Sequence, residues 1–195
     1  MHDPHEDLHN EAGALKGEHH GRSANPVIKV HDLEWLEFEK PDLGKSEVFA
    51  HAFGFSTLRR TPTELVLRGA DAGAPCVIIR KSNRSRFTGP AFRAAASEDL
   101  LRLAKATGAT VRRLPEHLGG LSVDMHEPGG ARVRVVSDTI EHPEMPTQDP
   151  QVLNVGRTVT RTNDTQRPLR VPAVVQRLGH VVLQSTKYIE SLNWY

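Results

Sequence analysis

The order strand, helix, then three strands occurs twice between Val27 and Asp138, and a chain that repeats this order has few ways to fold. Val27 to Glu39 reads as a strand region that ends in alternation, with Leu36 and Phe38 expected inward and Glu37 and Glu39 outward. Pro41-Asp42 opens a helix with Leu43, Phe49 and Phe53 at helical spacing and Gly54 as its stop. Strands follow at Phe55–Leu58, Glu64–Arg68 and Cys76–Arg80. The pattern then restarts. Pro90–Ala94 is a short strand, and Ser97-Glu98-Asp99 begins a helix with Leu100, Leu101, Leu103 and Ala104 on its apolar face, ended by Gly108. Thr110–Arg112, Leu121–Met125 and Arg132–Val136 supply three more strands, the last two joined through Pro128-Gly129-Gly130. The expected class is α+β: paired βαβββ units forming a curved mixed sheet around a cleft, with helices outside.

Around this module, 27–138, the chain changes character. Residues 1–26 hold His2, His5, His9, His19 and His20 among Glu, Asp, Gly and Asn, without apolar periodicity, and read as a disordered tail. Residues 139–176 form a linker punctuated by Pro143, Pro146, Pro150, Pro168 and Pro172. Its Arg157, Arg161, Arg167 and Arg170, with Arg177, could meet an acidic partner, but a solvated linker along the module surface explains them more simply. Residues 177–195 resume the pattern. Leu178-Gly179-His180-Val181-Val182-Leu183 is expected to be a strand, followed by a helix whose Tyr188, Ile189, Leu192 and Tyr195 make an apolar stripe. This looks like the start of a second module cut short; a tail that completes the sheet of another copy is the rival reading.

Composition narrows the class further. Charge is nearly balanced, with 25 basic against 24 acidic residues, so nothing points to nucleic acid. No apolar run approaches the roughly 20 residues of a membrane span, and no secretory signal is present, so the cytoplasm is the expected location. The single Cys76 lies in an apolar run, as a buried thiol would. Phosphate loops, Gly-x-Gly-x-x-Gly, Cys-x-x-Cys and Gly-x-Ser-x-Gly are all missing from the sequence.

Segment 33–38, Leu-Glu-Trp-Leu-Glu-Phe, aligns with the later 178–183 so that Trp35 stands where the second segment has His180. The stretch Asp32-Leu-Glu-Trp-Leu-Glu-Phe-Glu-Lys-Pro-Asp-Leu, His51-Ala-Phe-Gly-Phe, the paired βαβββ units and Arg177-Leu-Gly-His180-Val-Val-Leu together resemble the vicinal oxygen chelate superfamily. Within it the chain is similar to type I extradiol ring-cleavage dioxygenases of the catechol 2,3-dioxygenase and 2,3-dihydroxybiphenyl 1,2-dioxygenase group. The resemblance implies Fe(II), or Mn(II), held by two histidines and a glutamate of a carboxyl-terminal module. It also implies a small aromatic diol and O2 as substrates, and a homo-oligomer is expected. His180 matches the first of those ligands, and the other two fall beyond this sequence. In the first module the equivalent places are Trp35, Gly89 or Pro90, and Arg134, none of which replaces His or Glu at a metal. The resemblance therefore makes residues 27–138 a non-catalytic scaffold, with no metal expected on this chain alone.

Three readings of function follow. The first is the amino-terminal part of an extradiol dioxygenase that opens catechol-type aromatics. The second is a non-catalytic small-molecule-binding module of the glyoxalase/bleomycin-resistance type. The third is an accessory protein docking through its tail helix. His31, His51, His117, His126 and His142 show no pairing at ligand spacing, and Glu37 and Glu39 read as a solvent-facing pair rather than an acid–base pair.

Overall fold

In the computed structural model, residues 25–149, 151–163 and 170–195 are described. The expected tail, most of which lies before residue 25, and Arg167 of the linker fall outside them. The first repeat gives β1 (Val30–Lys40), α1 (Leu43–Phe53), β2 (Ser56–Arg60), β3 (Glu64–Arg68) and β4 (Val77–Lys81). The second gives β5 (Arg86–Ala94), α2 (Ser97–Thr107), β6 (Val111–Arg113), β7 (Leu121–His126) and β8 (Arg132–Ser137). A third helix, α3, spans Tyr188–Trp194. Strand order is the same in both repeats: β1-β4-β3-β2 in the first and β5-β8-β7-β6 in the second. Hairpins β2/β3, β3/β4, β6/β7 and β7/β8 are antiparallel, whereas β5 runs parallel to β8. The paired βαβββ topology of a mixed α+β sheet is thus present.

The helices start and stop for local reasons. The Asp42 carboxylate accepts the Lys45 amide at 2.9 Å, capping α1. α1 and α2 both end at a glycine in the left-handed region, Gly54 and Gly108.

The chain divides into two compact units, and β1 runs from one into the other. One comprises Phe38–Arg86 and Glu141–Leu178. Its core is Leu43, Ala50, Leu65, Leu67, Cys76, Val77 and Ile79, with Phe38, Phe55 and Leu178 packed against it. α1 enters this core through Leu43 and Ala50, whereas Phe49 and Phe53, also read at helical spacing, are 70% and 59% exposed and stack on each other. The Pro-rich segment is tied down at several backbone positions. Gly73 and His142 exchange both amide–carbonyl bonds, Met145 donates to Ala70, and Val175 donates to Gly54.

The other unit comprises the described residues up to Glu37, Phe87–Ile140 and Gly179–Tyr195. Its core is Ala94, Leu100, Leu103, Val123 and Val135. Complete burial of a side chain such as Leu100 contributes about 1.5–3 kcal/mol. Leu101, expected on the same face, points to solvent. Residues 178–183 make no strand, contrary to the expectation: among the described residues no strand is paired with them. Among the described residues no helix is long and apolar enough to cross a membrane.

Candidate functional site

Trp35 and Glu37 are two residues apart on β1 and therefore share one face of the strand. Both are completely buried. The outward orientation expected for Glu37 is thus corrected, while Glu39, two residues on along the strand, is partly exposed and holds Arg86 at 2.7 Å. A buried carboxylate needs compensation, and Glu37 has it from three donors. The Trp35 indole Nε1 donates to Glu37 Oε1 at 3.0 Å, and Arg134 donates to that same oxygen at 2.7 Å. Arg132 donates to Oε2 at 2.6 Å.

The cluster continues along β7. Arg134 forks onto Asp124, its register partner, with bonds of 2.6 and 2.9 Å. Burial pushes the Asp124 carboxyl up, but the hydrogen bonds and charge of Arg134, with Arg132 and Arg112 nearby, outweigh it and hold the group below its ordinary range. For Arg134, burial acts against the charged form, and the bond to Asp124 with the charge of Glu37 overcomes it, raising its pKa. Two carboxylates and two guanidiniums balance.

The third ligand-equivalent place is closed by sterics. Gly89 has φ 142°, and a Cβ built there would lie 1.8 Å from the Arg132 carbonyl oxygen. Pro90 beside it is fully buried and has no donor atom to offer. The three places named from the sequence are therefore an indole, a glycine–proline step and a guanidinium, gathered around an ion cluster whose acceptor oxygens are taken. The iron or manganese that the resemblance implies does not fit this module.

His180, the residue matched to a metal ligand, lies elsewhere in the same unit. It is exposed and lines a cavity of about 450 Å³ with His31, Asp32, Phe92, Leu183 and Tyr195. Among the described residues no group of three or more His, Cys, Asp or Glu side chains is arranged to hold a metal ion. The meeting of His31 with His180 in one cavity was not readable from spacing, because 149 residues separate them. Burial and the nearby Glu127 charge push the Tyr195 phenol up to about 12. His51, also read as lacking a ligand partner, is hydrogen-bonded to Thr57 Oγ1 at 2.8 Å.

No protein-family model and no curated protein sequence matches the chain. Solved structures do. The Mn(II)-bound glyoxalase from Novosphingobium aromaticivorans superposes with TM-score 0.55 at 19% identity, over 62% of this chain and 43% of that one. Homoprotocatechuate 2,3-dioxygenase from Arthrobacter globiformis matches with TM-score 0.55 at 17% identity, over 63% and 41%. A variant of the Brevibacterium fuscum homoprotocatechuate 2,3-dioxygenase matches with TM-score 0.53 at 19% identity, over 63% and 36%. The chain has the vicinal oxygen chelate fold. It spans between 36% and 43% of the length of these structures.

Proposed function

We propose that this chain is the amino-terminal, non-catalytic βαβββ-pair module of an extradiol ring-cleavage dioxygenase, a cytoplasmic enzyme that opens catechol-type aromatics with O2. The observation that carries this reading is the paired βαβββ topology, with Trp35, Gly89-Pro90 and Arg134 at the places that the resemblance matches to metal ligands. Such a pair supports a reaction performed elsewhere in a longer protein. Solved neighbours of the fold include homoprotocatechuate 2,3-dioxygenases, one of them a variant in complex with HPCA. In this reading residues 27–138 are the scaffold, 139–176 the connection, and 177–195 the opening of the catalytic module, with His180 as its first Fe(II) or Mn(II) ligand. Gly179–Tyr195 belongs to the same compact unit as Phe87–Ile140.

The test is the coding sequence after codon 195, read in every frame. It is expected to encode a further βαβββ pair carrying a second histidine and a late glutamate. The longer product, loaded with Fe(II), should turn catechol into a yellow ring-opened product, and the 195-residue chain should not. Turnover by the 195-residue chain, or a continuation lacking those ligands, contradicts the proposal. Tight metal-independent binding of a small ligand by the 195-residue chain would favour the glyoxalase/bleomycin-resistance type of module instead.

A further inference from the structure

The places that the resemblance matches to metal ligands, Trp35, Gly89 or Pro90, and Arg134, lie on β1, β5 and β8, which are neighbours in that order. A metal bound there ties three strands through one centre. In this chain Glu37 on β1 is reached by Arg132 and Arg134 from β8, across the position of β5, with bonds of 2.6 and 2.7 Å. The cluster therefore spans the same strands by another chemistry.

We infer that the Glu37–Arg132–Arg134 cluster replaces the metal of the pair as its cross-strand tie, and that the module folds without a metal for this reason. Charge supports it: the two guanidiniums meet Glu37 and Asp124, leaving no excess of negative charge for a divalent cation to neutralise. A cation entering at Glu37 would displace both guanidiniums from it, taking from Arg132 this carboxylate and leaving Arg134 on Asp124 alone, at an unfavourable cost. Geometry supports it independently, since any side chain at position 89 meets the Arg132 carbonyl at 1.8 Å and a histidine ligand cannot be accommodated there. The substitution is thus hard to reverse by single changes. The inference shares the matched ligand places with the dioxygenase reading: an unchanged midpoint in Glu37→Gln would overturn the inference alone, whereas Glu37 acting as a ligand would count against both.

Thermal unfolding of the full chain tests it, with His2, His5, His9, His19 and His20 replaced by alanine to silence adventitious binding. The midpoint should agree to within about 1 °C in EDTA and in excess Fe(II) or Mn(II) under anaerobic conditions. Glu37→Gln should lower it by about 10 °C, because it removes the buried carboxylate that Arg132 and Arg134 share across the strands. Should that variant not fold, the triple variant Glu37→Leu, Arg132→Met, Arg134→Met decides. It removes the charges together, leaves the partly exposed Asp124 to water, and is expected to unfold cooperatively near the parent midpoint. A midpoint raised by metal in the parent but not in Glu37→Gln would make Glu37 a ligand and overturn the inference. So would an unchanged midpoint in Glu37→Gln, or a triple variant that unfolds as readily as the single one.

Discussion

The Ser191 hydroxyl donates to Glu127 Oε2 at 2.6 Å, joining α3 to the turn between β7 and β8. The Glu127 carboxylate also takes the amides of Gly129 and Ala131, at 2.7 and 2.9 Å. The bond from Ser191, against burial and with those two amides, holds its pKa below the ordinary range. Ser191→Ala should cost about 1 kcal/mol, confined to α3. Hydrogen exchange of the amides from 188 to 195 should quicken while the global midpoint stays put. Equal slowing or no change at those amides would show that α3 is held by its apolar stripe alone.

Acid should weaken the ion cluster through Asp124. Its carboxyl is depressed in the folded chain, against an unfolded value of about 3.9. A depressed carboxylate contributes stability that is complete above the unfolded value and is lost as pH falls through the folded one. The midpoint should therefore drop below about pH 4, and Asp124→Asn should flatten that part of the profile. At pH 7 the same variant should cost about 1–2 kcal/mol, because Arg134 keeps Glu37. An identical acid slope in the variant would assign the acid response to other groups.

What was legible in the sequence was what short-range physics decides. Asp42 caps α1 three residues ahead, Gly54 and Gly108 end their helices in place, and each strand announces itself within about five or six residues. The repeated order then led to the paired topology. Glu37 was misread because its inward turn depends on Arg132 and Arg134, 95 and 97 residues later, and no local period carries that information. Alternation normally puts a glutamate outside; a buried pair of cations reverses it. The strand expected from Leu178 has the apolar run but, among the described residues, no paired strand, and pattern alone does not make a ladder. Phe49 and Phe53 sit at helical spacing, yet α1 docks through Leu43 and the small Ala50. His180 was singled out by its Leu-Gly-His context, while its cavity companions His31 and Asp32 come from the start of β1 and carried no signal of their own.

Gly89 and Gly108 offer a matched pair of alanine substitutions. Both have positive φ, so each pays the cost of about 1–2 kcal/mol for placing a Cβ residue there. Nothing lies within 4 Å of a Cβ at 108, so Gly108→Ala should lose only that amount. At 89 the backbone carbonyl of Arg132 would sit at 1.8 Å, forcing β5 and β8 apart and disturbing the arginines that hold Glu37. Gly89→Ala should lose at least about 4 kcal/mol or fail to fold. Chemical denaturation of the two variants side by side measures the difference, and equal losses would refute the close approach at β5.

Tyr195 gives a readout of the cavity wall from the alkaline side. Its ring packs edge-on against Trp194 with centroids 4.9 Å apart, and burial together with the charge of Glu127 pushes its phenol up to about 12. The unfolded value is near 10. A raised pKa contributes stability that is complete below the unfolded value and is lost as pH rises through the folded one. The segment that carries Tyr195 along the cavity should therefore loosen between about pH 10 and 12, well after the wild-type chain has passed neutral conditions unchanged. Absorbance at the phenolate band should show a late step that Tyr195→Phe removes. Glu127→Gln should move that step to lower pH by removing the nearby negative charge. A late step that survives in Tyr195→Phe would belong to another phenol and would overturn the assignment to Tyr195.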